Sequence, residues 1–228
     1  MSRDPKSIRL PVTSEEIALS LQGLPALDPV LAPLLTTLSL RSSAVLLPLS
    51  PTEEGWKILF TRRSQRVSSH KGEISFPGGR VDTEDPSPEA TALRETHEEI
   101  GVPPSLIRVL GRLPESYSIA GYRIAPIVGE IPASHPFEAS SYEIDEIFQV
   151  PLVDLLQPGV LRLHHRVEAG PWSHDVYLFD WKPSYMIWGA TARILKGFLE
   201  TLVGPLSAAE DPDDPVPTYT FPFDTGSA

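Results

Sequence analysis

Apolar positions along this chain recur in two rhythms, one for strands and one for helices. "AVLLPLS" (44–50) and "WKILFTRR" (56–63) are apolar, β-leaning runs around "PTEEG", which predicts a hairpin. "EISFPGG" (73–79) reads as a short strand running into a glycine turn. "SPEATALRETHEEIG" (87–101) predicts a helix, with Ser87 as N-cap, Pro88 at the first helical position and Gly101 as the stop. Strands are expected at 106–113 and 122–131, a short helix at 151–157, and a further β pair from "GVLRLHH" and "HDVYLFDW". "YMIWGATARILKGFLETL" (185–202) carries apolar residues at helical spacing and predicts a closing amphipathic helix. Near the N-terminus, "TSEEIALSLQ" (13–22) opens as a helix and a second short one is expected near 30–38. The expected class is α+β, a mixed sheet flanked by helices. Residues 1–40 read as a helical extension, 41–203 as the domain, and the Pro- and Asp-rich 204–228 as a mobile acidic tail.

The helix at 87–101 raises a chemical question. Glu95, Glu98 and Glu99 fall at i, i+3 and i+4, where like charges on one helical face repel by a few tenths of a kcal/mol per pair. A solvated acidic surface is one account. The context favours another: Arg94 can hold Glu98 at i, i+4, and "FPGGRVD" ahead of the helix allows tight turns and exposed carbonyls. Carboxylates with a backbone carbonyl suit a hard divalent cation, Mg²⁺ or Mn²⁺, whose usual partner is a substrate phosphate. Hydrolysis at phosphorus is the chemistry that follows. An EF-hand reading of "DTED" fails, for no glycine stands at the required bend and no acid ends a 12-residue loop.

Bulk properties narrow the field. The 228 residues carry a formal charge of −11, which argues against non-specific nucleic-acid binding. Absence of cysteine excludes disulfides, thiolate metal sites and a cysteine nucleophile. No apolar stretch approaches the roughly 18 residues of a membrane span, and the first residues lack the apolar run of a signal peptide. No membrane partner and a cytoplasmic location are therefore expected. No G-x-S-x-G occurs, which disfavours a serine hydrolase. The oligomeric state stays open, a homodimer included.

"GGRVDTEDPSPEATALRETHEEIGV" resembles the Nudix box, most strongly in "RETHEEIGV", with Thr96 where an apolar residue is usual. The resemblance implies an α/β/α sandwich around a mixed sheet and divalent-metal-dependent hydrolysis of a nucleoside diphosphate linked to another moiety. It also implies roles: Glu95, Glu98 and Glu99 as metal-binding acids, Arg94 as the arginine that orients them, and the Gly79 carbonyl as a further metal ligand. Asp85 stands at the first acid of the box with one extra residue before Arg94, and is not assigned as a ligand.

Upstream, "LFTRRSQRVSSHKGEISFPGG" (59–79) resembles the signature of the coenzyme A diphosphatase branch of that family. Leu59, Thr61, Arg63, Ser64, Gly72, Phe76, Pro77, Gly78 and Gly79 match; Phe60 replaces a leucine and Ser68 an arginine. The longer spacer with Asp85 also looks like this branch, as do 117–132, 142–156 and 185–195. The implied substrate is CoA or an acyl-CoA, split into 3′,5′-ADP and 4′-phosphopantetheine. Arg63 and Arg66 are candidates for the phosphates, because guanidinium groups make bidentate contacts. Tyr122 and Tyr117 are candidates for ring surface, and His70 sits in the branch's H-x-G context. Glu143 and Glu73 are the candidate bases outside the helix, Asp145 and Glu146 weaker ones. His97 lies off the Glu95–Glu99 line and is expected to face the sheet or solvent. Two alternatives remain: another substrate such as NADH, ADP-ribose or a nucleoside triphosphate, and a non-catalytic ligand sensor on the same fold.

Overall fold

The computed structural model describes residues 9–29, 32, 36, 38–66, 71–118, 120–139, 142–169 and 172–210. The helix expected near 30–38 falls largely outside these residues, as do His70 and the tail beyond 210.

The hairpin forms as its pattern predicts. Strands β1 (Arg41–Thr52) and β2 (Gly55–Arg63) pair antiparallel across the "PTEEG" turn. Two short strands follow, β3 (Ile74–Ser75) against β2 and β4 (Gly78–Arg80) against the start of β1. Helix α1 (Ser14–Ser20) precedes them, opened by a capping box in which Thr13 and Glu16 satisfy each other's backbone N–H groups. Helix α2 (Pro88–Ile100) has Ser87 accepting the Ala90 N–H as its N-cap. Gly101 ends it at φ 76°, a left-handed conformation that suits a residue without Cβ.

The remaining elements complete two sheets. Strands β5 (Arg108–Arg112), β6 (Ser116–Ser118), β7 (Tyr122–Glu130) and β8 (Ile144–Pro151) join the first sheet. Helix α3 (Leu152–Leu155) leads to β9 (Leu161–Ala169), β10 (Trp172–Asp180) and β11 (Met186–Trp188) of the second, with α4 (Gly189–Val203) and β12 (Ala209–Glu210) closing the order. In the first sheet β1 runs parallel to β7 while its other pairings are antiparallel, so the sheet is mixed.

Alternation along the strands separates two apolar layers. Ala44, Leu46, Leu59, Ala125 and Ile127 pack with Ala92 and Ile100 of α2. Leu47, Leu49, Ile58, Phe60, Ile124 and Val128 pack with Ile194, Leu195, Phe198 and Leu199 of α4 and with Ile17 of α1. Period-2 side-chain placement in a sheet covered on both sides produces this division.

Several elements depart from the sequence expectation, among them β6, which no expected strand covered, and β12, which pairs with β9 inside the expected tail. The closing helix begins at Gly189 rather than 185, because Met186–Trp188 pair with β10 as a strand. Ile187 is buried there, a position in which β-branched and aromatic residues favour the pleated surface over a helix turn. Strand β8 was not among the expected strands. Its acids, Asp145 and Glu146, interrupt the apolar alternation that announces a strand, yet it pairs with β2 from Lys57 to Arg63.

Candidate active site

The glycine turn and α2 meet because β4 docks on β1. Ser43, Ala44 and Val45 pair with Arg80, Gly79 and Gly78 in turn, which fixes the turn backbone beneath the helix. Glu99 lies under it at 7% exposure and accepts the Gly78 N–H at 3.3 Å. Glu95 is half-buried, and a Cβ placed on Gly79 would lie under 3.0 Å from its carboxylate carbon and both oxygens. The absence of a side chain at Gly79 makes room for that carboxylate.

The three glutamates are unequal. Glu98 is exposed and rests on Arg94 Nη1 at 3.1 Å, whereas Glu95 and Glu99 turn towards the glycines. Burial raises the Glu95 carboxyl above its ordinary value, against the opposing effect of Arg94, with Glu98 and Glu143 adding repulsion. Burial pushes Glu99 up to about 8, with the Gly78 N–H and Arg63 opposing it and the neighbouring Glu95 and Glu143 charges adding repulsion. His97, next along the helix, is exposed.

Arg94 is the electrostatic centre of the helix face. Its guanidinium donates to both Asp85 oxygens, Nε to Oδ1 at 3.1 Å and Nη2 to Oδ2 at 3.0 Å. It also reaches Glu95 at 2.9 Å, Glu98 at 3.1 Å and the Arg80 carbonyl at 3.3 Å. Asp85 accepts from Thr91 and from the Asp82 N–H as well, and the hydrogen bonds from Arg94 hold its carboxyl far below the usual carboxylate range. Asp85 therefore anchors the arginine. A planar fork is needed to serve acceptors on two sides, which an ammonium on a flexible stem does not reproduce. Arg94→Lys is expected to lower turnover about 10²-fold through displacement of the carboxylates it braces, a size typical of misplacement near 1 Å. Steady-state kinetics beside the circular dichroism of the folded variant check this, and near-wild-type turnover would refute the bracing role.

Across from the helix, the end of β2 brings Arg63 to Glu143 at 3.9 Å. Both act electrostatically on Glu99, so strand and helix groups share one region. Arg66 is 64% exposed and contacts Asp145 rather than the glutamates. Glu73 accepts the Arg63 N–H through its backbone carbonyl at 2.9 Å. The two tyrosines named for ring surface fare differently. Tyr117 is buried at 1% exposure, so its ring is not a platform for a ligand. The Tyr122 ring carries the Arg41 guanidinium 4.3 Å above its centre, which occupies one of its faces. Glu146 bonds to Arg62 and Tyr185, which argues for a structural place.

Among the described residues, no three His, Cys, Asp or Glu side chains already converge as a ready-made cation cage. The donor set still fits a hard cation, because Glu95, Glu98, Glu99 and the Gly79 carbonyl are all oxygen donors at one turn. Two of the carboxylates are held partly desolvated, where a cation offsets their repulsion.

The NUDIX domain family profile matches residues 40–164, more than half of the chain. The chain belongs to the NUDIX family. It is similar to the uncharacterized Nudix hydrolase NudL of Escherichia coli, 40% identical over 163 residues that cover 70% of this chain and 82% of that one. NudL of Shigella boydii matches at the same identity and coverage. Among solved structures, the NUDIX domain of Shewanella oneidensis NrtR in complex with ADP ribose aligns at 23% identity and a TM-score of 0.41, covering 57% of this chain and 81% of that chain. A likeness at that level adds nothing to the assignment. The α+β class with a mixed sheet flanked by helices is the NUDIX arrangement expected from the box. As a NUDIX hydrolase it acts on nucleoside diphosphate derivatives, and the family generally uses divalent metal ions. Among the described residues no helix is long and apolar enough to cross a membrane.

Proposed function

We propose that this NUDIX hydrolase splits the diphosphate of CoA, free or acylated, into 3′,5′-ADP and 4′-phosphopantetheine with Mg²⁺ or Mn²⁺. The observation that carries the reading is the placement of Arg63. The "LFTRRS" segment that resembles the CoA branch ends β2 with this arginine beside Glu143 and within electrostatic reach of Glu99. Its Nε is buried without an acceptor, so a phosphate oxygen arriving there meets an unsatisfied donor.

In this reading Glu95, Glu98, Glu99 and the Gly79 carbonyl hold the cation. When bound, it supplies positive charge against the diphosphate oxygens and lowers the cost of generating the attacking nucleophile from water. Arg94 keeps Glu95 and Glu98 in place from one side while Asp85 fixes Arg94 from the other. Glu143 takes the proton of the attacking water, a role its exposed carboxylate can fill from the rim. Arg63 and Arg66 bind phosphate oxygens by charge-assisted hydrogen bonds. Glu73, His70 and Tyr122 are the remaining proposed substrate contacts. A cytoplasmic location goes with this reading.

Product analysis tests it. CoA, NADH, ADP-ribose and dGTP are incubated with and without Mg²⁺ or Mn²⁺, beside a Glu98→Gln/Glu99→Gln double variant. The expected result is metal-dependent 3′,5′-ADP from CoA alone, lost in the variant. Cleavage of a different substrate would keep the carboxylate site and discard CoA. Absence of metal-dependent cleavage of all four would overturn both and favour a ligand sensor.

A further inference from the structure

The end of β2 and the start of β8 do not pair regularly. Arg62 faces Glu146 while Arg63 faces Ile144, so the register slips by one and Asp145 is the residue left over. Such a slip leaves one residue outside the ladder, bends the strand and re-aims the side chains beside it.

Asp145 is nonetheless heavily engaged. Its carboxylate accepts the Gln65 N–H at 3.0 Å and the Arg66 guanidinium at 3.3 Å, and the Ser64 hydroxyl donates to it as well. Ser64 is fully buried, and its own N–H donates to the Glu143 carbonyl at 2.7 Å. The Ser64 oxygen in turn accepts the Arg66 N–H and Nε–H, both at 3.2 Å. In the bonds that join the two segments, residues 64–66 donate and residues 143–145 accept, and Glu143 is the residue these bonds hold against Arg63.

We infer that Asp145 is a positioning residue that fixes Glu143 opposite Arg63 and the Glu95–Glu99 pair, without itself touching the substrate. The inference rests on the proposed role of Glu143. A carboxylate suits the task because three donors converge on it, and an ionised acid is acceptor-only with about four lone-pair sites. Asparagine would keep one accepting oxygen for Gln65 or Ser64 and turn an N–H₂ towards the donors of Arg66. The Arg66 contact is largely exposed and contributes little by itself. The backbone and Ser64 bonds carry the positioning.

The bland account is a turn cap that serves stability alone, and a double-mutant cycle separates the two. The full chain is prepared as wild type, Asp145→Ala, Asp145→Asn, Glu143→Gln and the Asp145→Ala/Glu143→Gln double. Turnover of CoA with Mn²⁺, Mn²⁺ affinity by electron paramagnetic resonance, amide exchange of Ser64 and Gln65, and Tm are measured for each. Asp145→Ala is expected to lower kcat about 10²-fold with KM nearly unchanged, and Asp145→Asn to recover part of that loss. In the Glu143→Gln background the same change should cost little more, because the group being positioned is already disabled. Effects that multiply across the cycle, or a Glu143→Gln variant with wild-type kcat, would overturn the inference.

If the wild type turns over no CoA, the proposed substrate fails while the remaining readouts still decide this point. Faster Ser64 and Gln65 exchange in Asp145→Ala, with turnover of whichever nucleoside diphosphate derivative the wild type cleaves lowered only when Glu143 is intact, would support positioning. Unchanged exchange would overturn it.

Discussion

Glu99→Gln is expected to lower metal-dependent turnover by about three decades while raising the stability of the metal-free protein above neutral pH. The first effect follows from removing an oxygen anion at the glycine turn, since a cation's charge stabilisation is worth several kcal/mol in such reactions and each 1.36 kcal/mol is tenfold in rate. The second follows from burial. Glu99 is 7% exposed and its carboxyl is pushed up to about 8 from an ordinary 4.5. Between those values the native protein holds a proton that the unfolded chain has released, so stability falls as pH rises through the window. At about 1.4 kcal/mol for each pH unit of that window, the loss reaches roughly a few kcal/mol by pH 8.5. Glutamine, of the same size and neutral, removes the loss. Variant and wild type should therefore unfold alike near pH 4 and diverge at pH 8.5, with the variant more stable. Mn²⁺ should raise the wild-type Tm by binding the native state and leave the variant nearly unmoved. A Glu99→Gln protein that keeps both turnover and the Mn²⁺-dependent rise in Tm would remove Glu99 from the cation site.

The opposite dependence belongs to Asp85. Hydrogen bonds from Arg94 depress its folded value, so its contribution is present above the ordinary carboxylate range and lost as pH falls through that range. Two acids at the two ends of the same box thus contribute opposite pH dependences to stability.

The hairpin, α2 with both caps, and the α+β class were legible because each is written in short-range pattern: alternating apolar residues, Ser87–Pro88, Gly101. The inequality of the three glutamates was not read, although a signal for it exists. Thr91, Ala92, Thr96, Glu99 and Ile100 form the buried stripe of α2, and Glu99 belongs to it by helical spacing. Thr96 fits the stripe because its hydroxyl bonds the Ala92 carbonyl. Strand β11 and the register slip at Asp145 could not be read this way. The strand is fixed by β10, which lies next to it only after folding, and the slip by contacts between segments about 80 residues apart. The surroundings of the two candidate rings were hidden for a related reason. Tyr117 is covered by Leu27 and Leu40, with Arg193 4.5 Å above its ring, while Arg41 lies over one face of Tyr122.

Gly79→Ala is expected to fold nearly as well as the wild type and to lose about 10²-fold in kcat/KM, the cost of displacing a site group by roughly 1 Å. The argument turns on what the added methyl meets. At Gly79 all three nearest atoms belong to the Glu95 carboxylate, the far end of a flexible side chain, which can swing aside at little energetic cost. What it cannot do is swing aside and stay over the Gly79 backbone beside Arg94. One residue earlier the same methyl would strike the Ala44 carbonyl oxygen and the Val45 Cα, both backbone, at a position held at φ 155°. Gly78→Ala must therefore part β4 from β1, and a loss of a few kcal/mol is expected. Neighbouring glycines given the same substitution should thus fail in different ways. Gly79→Ala should keep its Tm and lose Mn²⁺ affinity, while Gly78→Ala should lose Tm first. If Gly79→Ala were as unstable as Gly78→Ala, the turn would be a backbone constraint and nothing more. If it kept full activity, Glu95 would have no part in holding the cation.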